Sequence, residues 1–293
     1  SDAVAAGPAL VAFFIAIGAS LAMALPVSTP PNAIAFSTGL VVYLSGDTGI
    51  TAEQDTVVRG HYGARLAVIN SPSNPTGVAY SRDELRALAE VLLQHPQVLV
   101  ATDDMYEHII WSEEPFSNIL NPCPDLYERT IVLNGVSKVY AMTGWRIGYA
   151  GGPAALIKAM KKVQSQSTSN PASISQAAAQ EALDGDQSCI APMLKAFKAR
   201  HDFVVQALNG IPGVRCTEAD GTFYTFPDLS AVIRRLEGVN DDVELAEYLL
   251  REAGVALVPG SAFGAPGYVR LSFATSMEVL EDALNDFNKR FEP

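Results

Sequence analysis

The chain has 293 residues, of which 48% are hydrophobic and 18% are charged, so it is long enough to form one large or two medium domains with hydrophobic cores. Its formal net charge of -12 opposes binding to a phosphate backbone, and no run of lysine and arginine offsets that charge, so we expect no nucleic-acid partner. Three widely separated cysteines and four histidines without metal-binding spacing predict no disulfide framework, no metal site and a cytoplasmic location.

The N-terminal segment is the most apolar part of the sequence. Residues 8–27 contain no charged side chain and are about as long as a bilayer is thick. Pro30 and Pro31 end any helix there, because proline lacks a backbone donor and disfavours the helical conformation in the residue before it. We therefore predict an apolar helical segment over residues 1–50, with membrane contact through residues 8–27 as one alternative.

Part of this segment resembles a known membrane protein family. Residues 1–45, on the strength of Gly18–Gly39, resemble a fragment of a divalent-anion:sodium symporter, in which a helix is interrupted at a proline-rich turn. An interrupted helix exposes carbonyl groups and polar side chains that can coordinate a cation, and the resemblance gives Thr29 and Asn32 that use.

From about residue 51 the sequence has the pattern of an α/β protein. A helix is predicted over residues 81–95, because Ser81 and Glu84 form a capping box and leucines recur on one face. Apolar runs rich in β-branched residues flank this helix, and they predict buried strands of a mostly parallel sheet at residues 64–70, 97–102, 129–134 and 145–152.

The C-terminal half predicts further helices and a smaller α/β unit. We expect helices over residues 153–167 and 171–209, the second long enough to bridge two domains. Beyond residue 210 the patterns predict strands near 214–217, 222–226, 255–258 and 268–273 and helices near 242–253 and 276–291. The predicted domains are therefore residues 1–50, residues 51–209 with the bridging helix, and residues 210–293.

Polar loops follow three of the predicted strands, where ligands bind in open α/β sheets. The first is NSPSNPTG (Asn70–Gly77), the second is TDDMYEH (Thr102–His108) and the third is NGVSKVYAMTGWRIGY (Asn134–Tyr149). Lys138 lies among serine, glycine and apolar residues with Arg146 eight positions later, which is not typical of a solvated lysine.

These three loops, in this order, resemble those of the fold-type I aminotransferases that use pyridoxal 5'-phosphate (PLP), in particular the bacterial aspartate and aromatic branch. The resemblance extends from about residue 60 to the C-terminus. It implies an α/β fold of the PLP-transferase type, with a partial large domain and a small C-terminal α/β domain. It also implies an enzyme that transfers an amino group from an L-amino acid to a 2-oxo acid, and a homodimer if the fold is complete.

The resemblance assigns a role to each matching residue. Lys138 would form the Schiff base with PLP and then move a proton, and Asp103 would keep the pyridine nitrogen protonated. Asn74 and Tyr106 would donate to the ring's phenolate oxygen, and Arg146 would bind the phosphate. Arg270, in YVRLSFAT, would bind the substrate's α-carboxylate.

The sequence also departs from the family. A complete enzyme carries a glycine-rich phosphate cradle before the NSPSNPTG segment, and none is recognisable here. We therefore expect a fusion or a misassembled fragment joined between Gly39 and Ala64, lacking the usual N-terminal half and impaired in activity. Three alternatives stay open: a membrane-associated transporter-derived fusion, a non-catalytic PLP-fold protein, and a lyase or decarboxylase that uses the same lysine. The amino donor also stays open.

Overall fold

The computed structural model describes residues 41–45, as backbone, and residues 65–291. The predicted apolar helix over residues 8–27 and the residues Thr29 and Asn32 lie outside these ranges. Among the described residues, no helix combines the length and the apolar character that a membrane crossing requires. The chain divides into two compact units, which are described separately below.

The described residues of the first unit lie within the ranges 1–71, 80–108 and 114–190. The centre of this unit is a five-stranded sheet. The strands lie in the order β1-β2-β3-β4-β5, with β1 to β4 parallel and β5 antiparallel to β4. Their bounds are β1 Val41–Ser45, β2 Leu66–Asn70, β3 Leu99–Asp103, β4 Thr130–Gly135 and β5 Gly148–Gly151. The prediction of a mostly parallel sheet is confirmed. Strand β1 was not predicted, and it pairs in parallel with β2 although it belongs to the segment assigned as a transporter-like helix.

Helices cover both faces of this sheet, which explains why its strands are apolar at successive positions. The helices are α1 Arg82–Leu93, α2 Ala154–Ser167 and α3 Ser173–Asp184. On one face, Ala67 and Ile69 pack in a cluster with leucines of α1. On the other face, Leu66 and Val68 pack in a cluster with Leu156 of α2. A strand buried on both faces has no polar side to alternate with its apolar one.

The start of α1 confirms the predicted capping box. The Glu84 backbone N–H donates to the Ser81 hydroxyl over 3.2 Å, and the Ser81 backbone N–H donates to the Glu84 carboxylate over 2.9 Å. Two donors that have no partner inside the helix are thereby satisfied.

The single helix predicted over residues 171–209 is wrong. The chain instead forms α3 and then α4 Ile190–Asn209. Gly185 adopts an extended conformation after α3, and a Cβ there would lie 2.5 Å from the Glu181 carbonyl oxygen. The Asp186 carboxylate then accepts from the Ser188 backbone N–H over 3.0 Å, which stabilises the turn between the helices. Residues 184–188 contain no apolar side chain, so the sequence carried a local signal of this break that the prediction overlooked.

The second unit consists of residues 72–79 and 109–113 and the described residues from 191 onward. A three-stranded antiparallel sheet lies in the order β6-β8-β7. The elements of the second unit are β6 Tyr224–Thr225, α5 Ser230–Arg235, α6 Asp242–Ala253, β7 Val258–Pro259, β8 Val269–Ser272 and α7 Met277–Lys289. Most of α4 also belongs to this unit. The strand predicted near 214–217 is only an isolated bridge between Arg215 and Asp228, and α5 was not predicted. The domain boundaries at residues 50 and 209 stay a prediction.

Candidate functional site

The predicted site residues of the first unit lie at the carboxyl ends of neighbouring parallel strands. Asp103 is the last residue of β3, and Lys138 follows β4 by three residues. In the sheet register, Asp103 lies between Asn70 of β2 and Leu133 of β4. The Asn70 side-chain amide also donates to the Asp103 carbonyl oxygen over 3.3 Å. The strand ends therefore bring the second and third polar loops to one edge of the sheet.

Lys138, Tyr106 and Asp103 form a cluster at this edge. The Lys138 Nζ atom lies 5.9 Å from the centroid of the Tyr106 ring, and the lysine is half-buried. Its positive charge acts on the Asp103 carboxyl group. An amine beside an aromatic ring and a carboxylate, with limited access to water, has the surroundings expected of a reactive lysine.

Burial raises the pKa of Asp103 to about 6. A hydrogen bond from the Met105 backbone N–H and the charge of Lys138 both lower the pKa of Asp103, but they offset burial only in part. At neutral pH the group is therefore ionised, in an environment that would favour pairing with a bound cation such as a protonated ring nitrogen.

Asp104, the next residue, is held differently. Its carboxyl group is buried and accepts hydrogen bonds from the Thr102 hydroxyl and from the Asn118 amide, the latter over 3.0 Å. Burial, together with the neighbouring carboxylates Asp103 and Glu107, raises the pKa of Asp104 to about 7, although the hydrogen bonds from Thr102 and Asn118 lower it. Both Asp104 carboxylate oxygens thus accept hydrogen bonds from neighbouring side chains, which fits a structural role.

Arg146 lies in a left-handed turn, with φ 54° and ψ 48°, before β5. Its Nη1 donates to the Thr143 carbonyl oxygen over 2.6 Å, and burial lowers the pKa of Arg146. Its Nη2 atom is buried and has no hydrogen-bond partner among residues 65–291, and the same is true of the Ser137 hydroxyl oxygen. Two unused buried donors, one of them cationic, fit an anionic group such as a phosphate. The sequence interpretation missed Ser137, although a hydroxyl directly before Lys138 was a usable signal.

In the second unit the structure brings Asn74 and Arg270 together. Arg270 Nη1 donates to Asn74 Oδ1 over 2.8 Å, although 196 positions separate the two residues in the chain. Arg270 is 4% exposed, and its guanidinium carbon lies 4.5 Å from the Tyr224 ring centroid and 5.1 Å from that of Phe263. The two rings hold the guanidinium plane by cation–π contact, so that its donors are oriented before any ligand binds. The sequence analysis did not predict that either ring lies beside Arg270.

The loop that carries Asn74 is closed by its own backbone and by a second loop. The Ser73 N–H donates to the Val78 carbonyl oxygen over 2.9 Å, and the Gly77 N–H donates to the Ser73 carbonyl oxygen over 2.8 Å. Gly77 has a positive φ of 77°, and its carbonyl oxygen accepts from the N–H groups of Asp220 and Gly221. A Cβ on Gly77 would lie 2.6 Å from the Gly221 carbonyl oxygen. The turn therefore requires glycine, for its conformation and for its space.

A family model described as "Aminotransferase class I and II" matches residues 52–287. The chain belongs to this family. Class I and II aminotransferases are PLP-dependent enzymes with an α/β fold of type I, and the mostly parallel sheet described above agrees with that fold.

Three comparisons show how the chain relates to known aminotransferases. It is 58% identical over 225 residues to an aspartate/prephenate aminotransferase of Nitrosomonas europaea, covering 75% of this chain and 57% of that protein. It is 44% identical over 260 residues to a probable aspartate/prephenate aminotransferase of Rickettsia felis, covering 86% of this chain and 64% of that protein. The crystal structure of an aspartate aminotransferase from Rhizobium meliloti matches with a TM-score of 0.80 and 38% identity, covering 96% of this chain and 74% of that one.

The chain thus spans little more than half the length of the Nitrosomonas protein. The predicted start of the aminotransferase resemblance near residue 60 is too late, because the family model begins at residue 52. The Rickettsia match is longer than residues 52–293, so it reaches further toward the N-terminus still. These comparisons give no support to the resemblance of residues 1–45 to a symporter or to membrane contact through residues 8–27.

Proposed function

We propose that the protein that contains this chain is an aminotransferase that uses PLP to move an amino group from an L-amino acid to a 2-oxo acid. The observation that carries the proposal is the cluster of Lys138, Tyr106 and Asp103 at the carboxyl ends of parallel strands, in a chain that belongs to the class I and II family.

Each of these residues of the first unit would bind a different part of the cofactor. Lys138 would hold it covalently through Nζ and would move a proton to and from the substrate's α-carbon. Asp103 would keep a proton on the pyridine nitrogen, and Arg146 and Ser137 would bind the phosphate through their unused donors. Tyr106 would donate to the ring's phenolate oxygen. The bound cofactor supplies the electron-withdrawing ring that stabilises negative charge at the α-carbon.

The residues of the second unit would orient the substrate. Arg270 would bind the α-carboxylate with its planar fork, which the rings of Tyr224 and Phe263 hold in place. Asn74 would donate to the cofactor's phenolate oxygen through its amide nitrogen, because its carbonyl oxygen already accepts from Arg270.

Aspartate is the first amino donor that we propose, because the relatives from Nitrosomonas, Rickettsia and Rhizobium are named for it. Arg270 accounts for the α-carboxylate of any amino acid and does not select among side chains. We also propose a cytoplasmic homodimer, and domains that divide near residue 209.

Arg270→Lys tests the substrate role. Lysine keeps the charge but loses the planar fork, and one lost charge-assisted hydrogen bond is worth roughly 1.5–3 kcal/mol. We expect kcat/KM for aspartate to fall by about tenfold to a hundredfold, with most of the change in KM, in a coupled assay of 2-oxo acid formation. The matched control is Arg215→Lys, because Arg215 is an exposed arginine of the same unit paired with Asp228. Equal kinetics in the two variants would show that Arg270 does not bind substrate.

A further inference from the structure

A hydrogen bond between Glu107 and Asn134 joins the two loops that carry Tyr106 and Lys138. Asn134 Nδ2 donates to Glu107 Oε1 over 2.6 Å, and Asn134 Oδ1 accepts from the Gly135 backbone N–H over 2.7 Å. Asn134 is buried, and both of its polar atoms are therefore engaged. Neither Glu107 nor Asn134 has a part in the chemistry proposed above.

The backbone joins the same two segments a second time. The Asp104 N–H donates to the Leu133 carbonyl oxygen over 2.9 Å, and the Glu107 N–H donates to the Asp104 carbonyl oxygen over 2.9 Å. The turn over residues 104–107 is therefore attached to β4 at its first residue by backbone and at its last by the Asn134 side chain. Gly135 allows the two segments to pack closely, because a Cβ there would lie 3.0 Å from the Met105 methyl carbon.

Glu107 and Asn134 are close in the chain to the two residues that would hold the cofactor. Tyr106 directly precedes Glu107, and Lys138 lies four residues after Asn134, so the bond links the two short segments that carry the tyrosine ring and the lysine amine. Without it, the Tyr106 end of the turn would lose its side-chain link to β4. A displacement of about 1 Å in a reacting group can cost a hundredfold in rate.

We propose that Glu107 and Asn134 are a positioning pair that fixes Tyr106 relative to Lys138. The proposal rests on the proposed function, since it assigns a purpose to the distance between the residues that would hold the cofactor. It concerns the geometry of the bond and not the charge of Glu107, although that charge reaches other groups. His108 Nε2 lies 3.4 Å from the Glu107 carboxylate. Burial raises the pKa of Tyr140 and of Tyr149, and the Glu107 charge adds to both increases.

Four variants separate the geometry of the bond from the charge of Glu107. Glu107→Gln removes the charge but keeps a carbonyl oxygen that accepts from Asn134, whereas Glu107→Ala removes both. Asn134→Ala removes the donor while Glu107 keeps its charge. The double variant of both alanines completes a cycle, and it should lose no more than either single variant if the two residues act only through their bond.

The matched control is Asn209→Ala in the second unit. Asn209 makes the same two kinds of hydrogen bond as Asn134, from Nδ2 to the Cys216 carbonyl oxygen and from the Cys216 N–H to Oδ1, each over 2.8 Å. Asn209 is exposed, so its loss reports the general effect of removing an asparagine that makes two backbone hydrogen bonds, and it belongs to neither candidate binding cluster.

Two measurements on the full chain carry the test. The first is the affinity for PLP followed by visible absorbance, which we expect to weaken about tenfold in Asn134→Ala and Glu107→Ala and little in Glu107→Gln and Asn209→Ala. The second uses the chain without cofactor and follows labelling of Lys138 by an amine-specific reagent, with the site identified by peptide mass spectrometry. Labelling should be several-fold faster in the two alanine variants, because the amine is less closely held against Tyr106.

The outcomes separate this proposal from the proposed function. If the wild-type chain binds PLP through Lys138 and the pair variants behave like Asn209→Ala in both measurements, the positioning role is wrong and the aminotransferase proposal stands. If PLP does not bind to Lys138, the proposed function fails. The labelling rates then decide separately whether the pair holds Lys138 and Tyr106 together.

Discussion

The Asp103 carboxyl group lies in an environment that opposes its ionisation, since burial raises its pKa from 3.8 to about 6. A carboxyl group whose pKa is higher in the folded chain than in the unfolded chain favours folding most when it is protonated. Its contribution is fully present below about pH 4 and is lost as the pH rises through about 6. At neutral pH the ionised group therefore destabilises the cofactor-free chain, by about 3 kcal/mol at most.

Asp103→Asn should raise the stability of the cofactor-free chain. At about pH 8 we expect the free energy of unfolding in urea to increase by about 2 kcal/mol, because the amide carries no charge and can still accept from Met105. Near pH 4 the difference should disappear. Asp282→Asn, at an exposed position of α7, is the control. A variant less stable than wild type at the higher pH would contradict this account. PLP binding should weaken in the same variant, since the ring nitrogen loses its carboxylate partner.

At the residue scale, the family motifs predicted six candidate positions but not their mutual contacts. The contact of Arg270 with Asn74 spans 196 positions and depends on how the second unit folds. Phe263 was missed because it lies in a short 3-10 helix without a motif, and only its place beside Arg270 gives it significance. Ser137 was recognisable as a neighbour of Lys138, but its unused hydroxyl became apparent only with burial.

At the element scale, the start of α1 shows a local signal that sequence can predict fully. The capping box needs only residues three positions apart, so no distant contact is required to form it. The helix also carries leucines of the main cluster beneath the sheet, including Leu85 and Leu88. Its stability therefore contributes directly to the packing of β2.

Ser81→Ala removes one half of this box. We expect the free energy of unfolding in urea to fall by about 1 kcal/mol, which is the usual contribution of a serine N-cap. Ser165→Ala serves as the control, because Ser165 is an exposed serine near the end of α2 whose hydroxyl donates to a carbonyl oxygen of its own helix. Equal stability of the two variants would show that the cap contributes nothing measurable.

The elements that sequence analysis missed or misplaced depend on distant contacts or on a local break. The strand β1 is short, and it forms because β2 supplies a parallel partner. The predicted strand near 214–217 is reduced to one bridge, since only Asp228 pairs with it. The helix predicted over residues 171–209 breaks at Gly185, where the glycine and the polar residues around it are a local signal that the prediction overlooked.

At the scale of the whole molecule, composition and motif order predicted the α/β class, and the aminotransferase family was then confirmed by the comparisons. The N-terminal segment was interpreted from its hydropathy, its prolines and a short symporter resemblance, and the comparisons support neither that resemblance nor membrane contact. Hydropathy shows which residues avoid water, but it does not distinguish a segment buried in a bilayer from one buried in a protein interior.

The most direct test of the account is whether PLP attaches to Lys138. The purified chain is titrated with PLP, its visible absorbance is recorded, and borohydride reduction followed by peptide mass spectrometry locates the attachment. We expect a visible band and a reduced adduct on Lys138, both absent from Lys138→Ala and both retained by Lys158→Ala, a substitution at an exposed lysine of α2. An adduct on other lysines, or equal binding by Lys138→Ala, would contradict the assignment of Lys138 as the cofactor-binding residue.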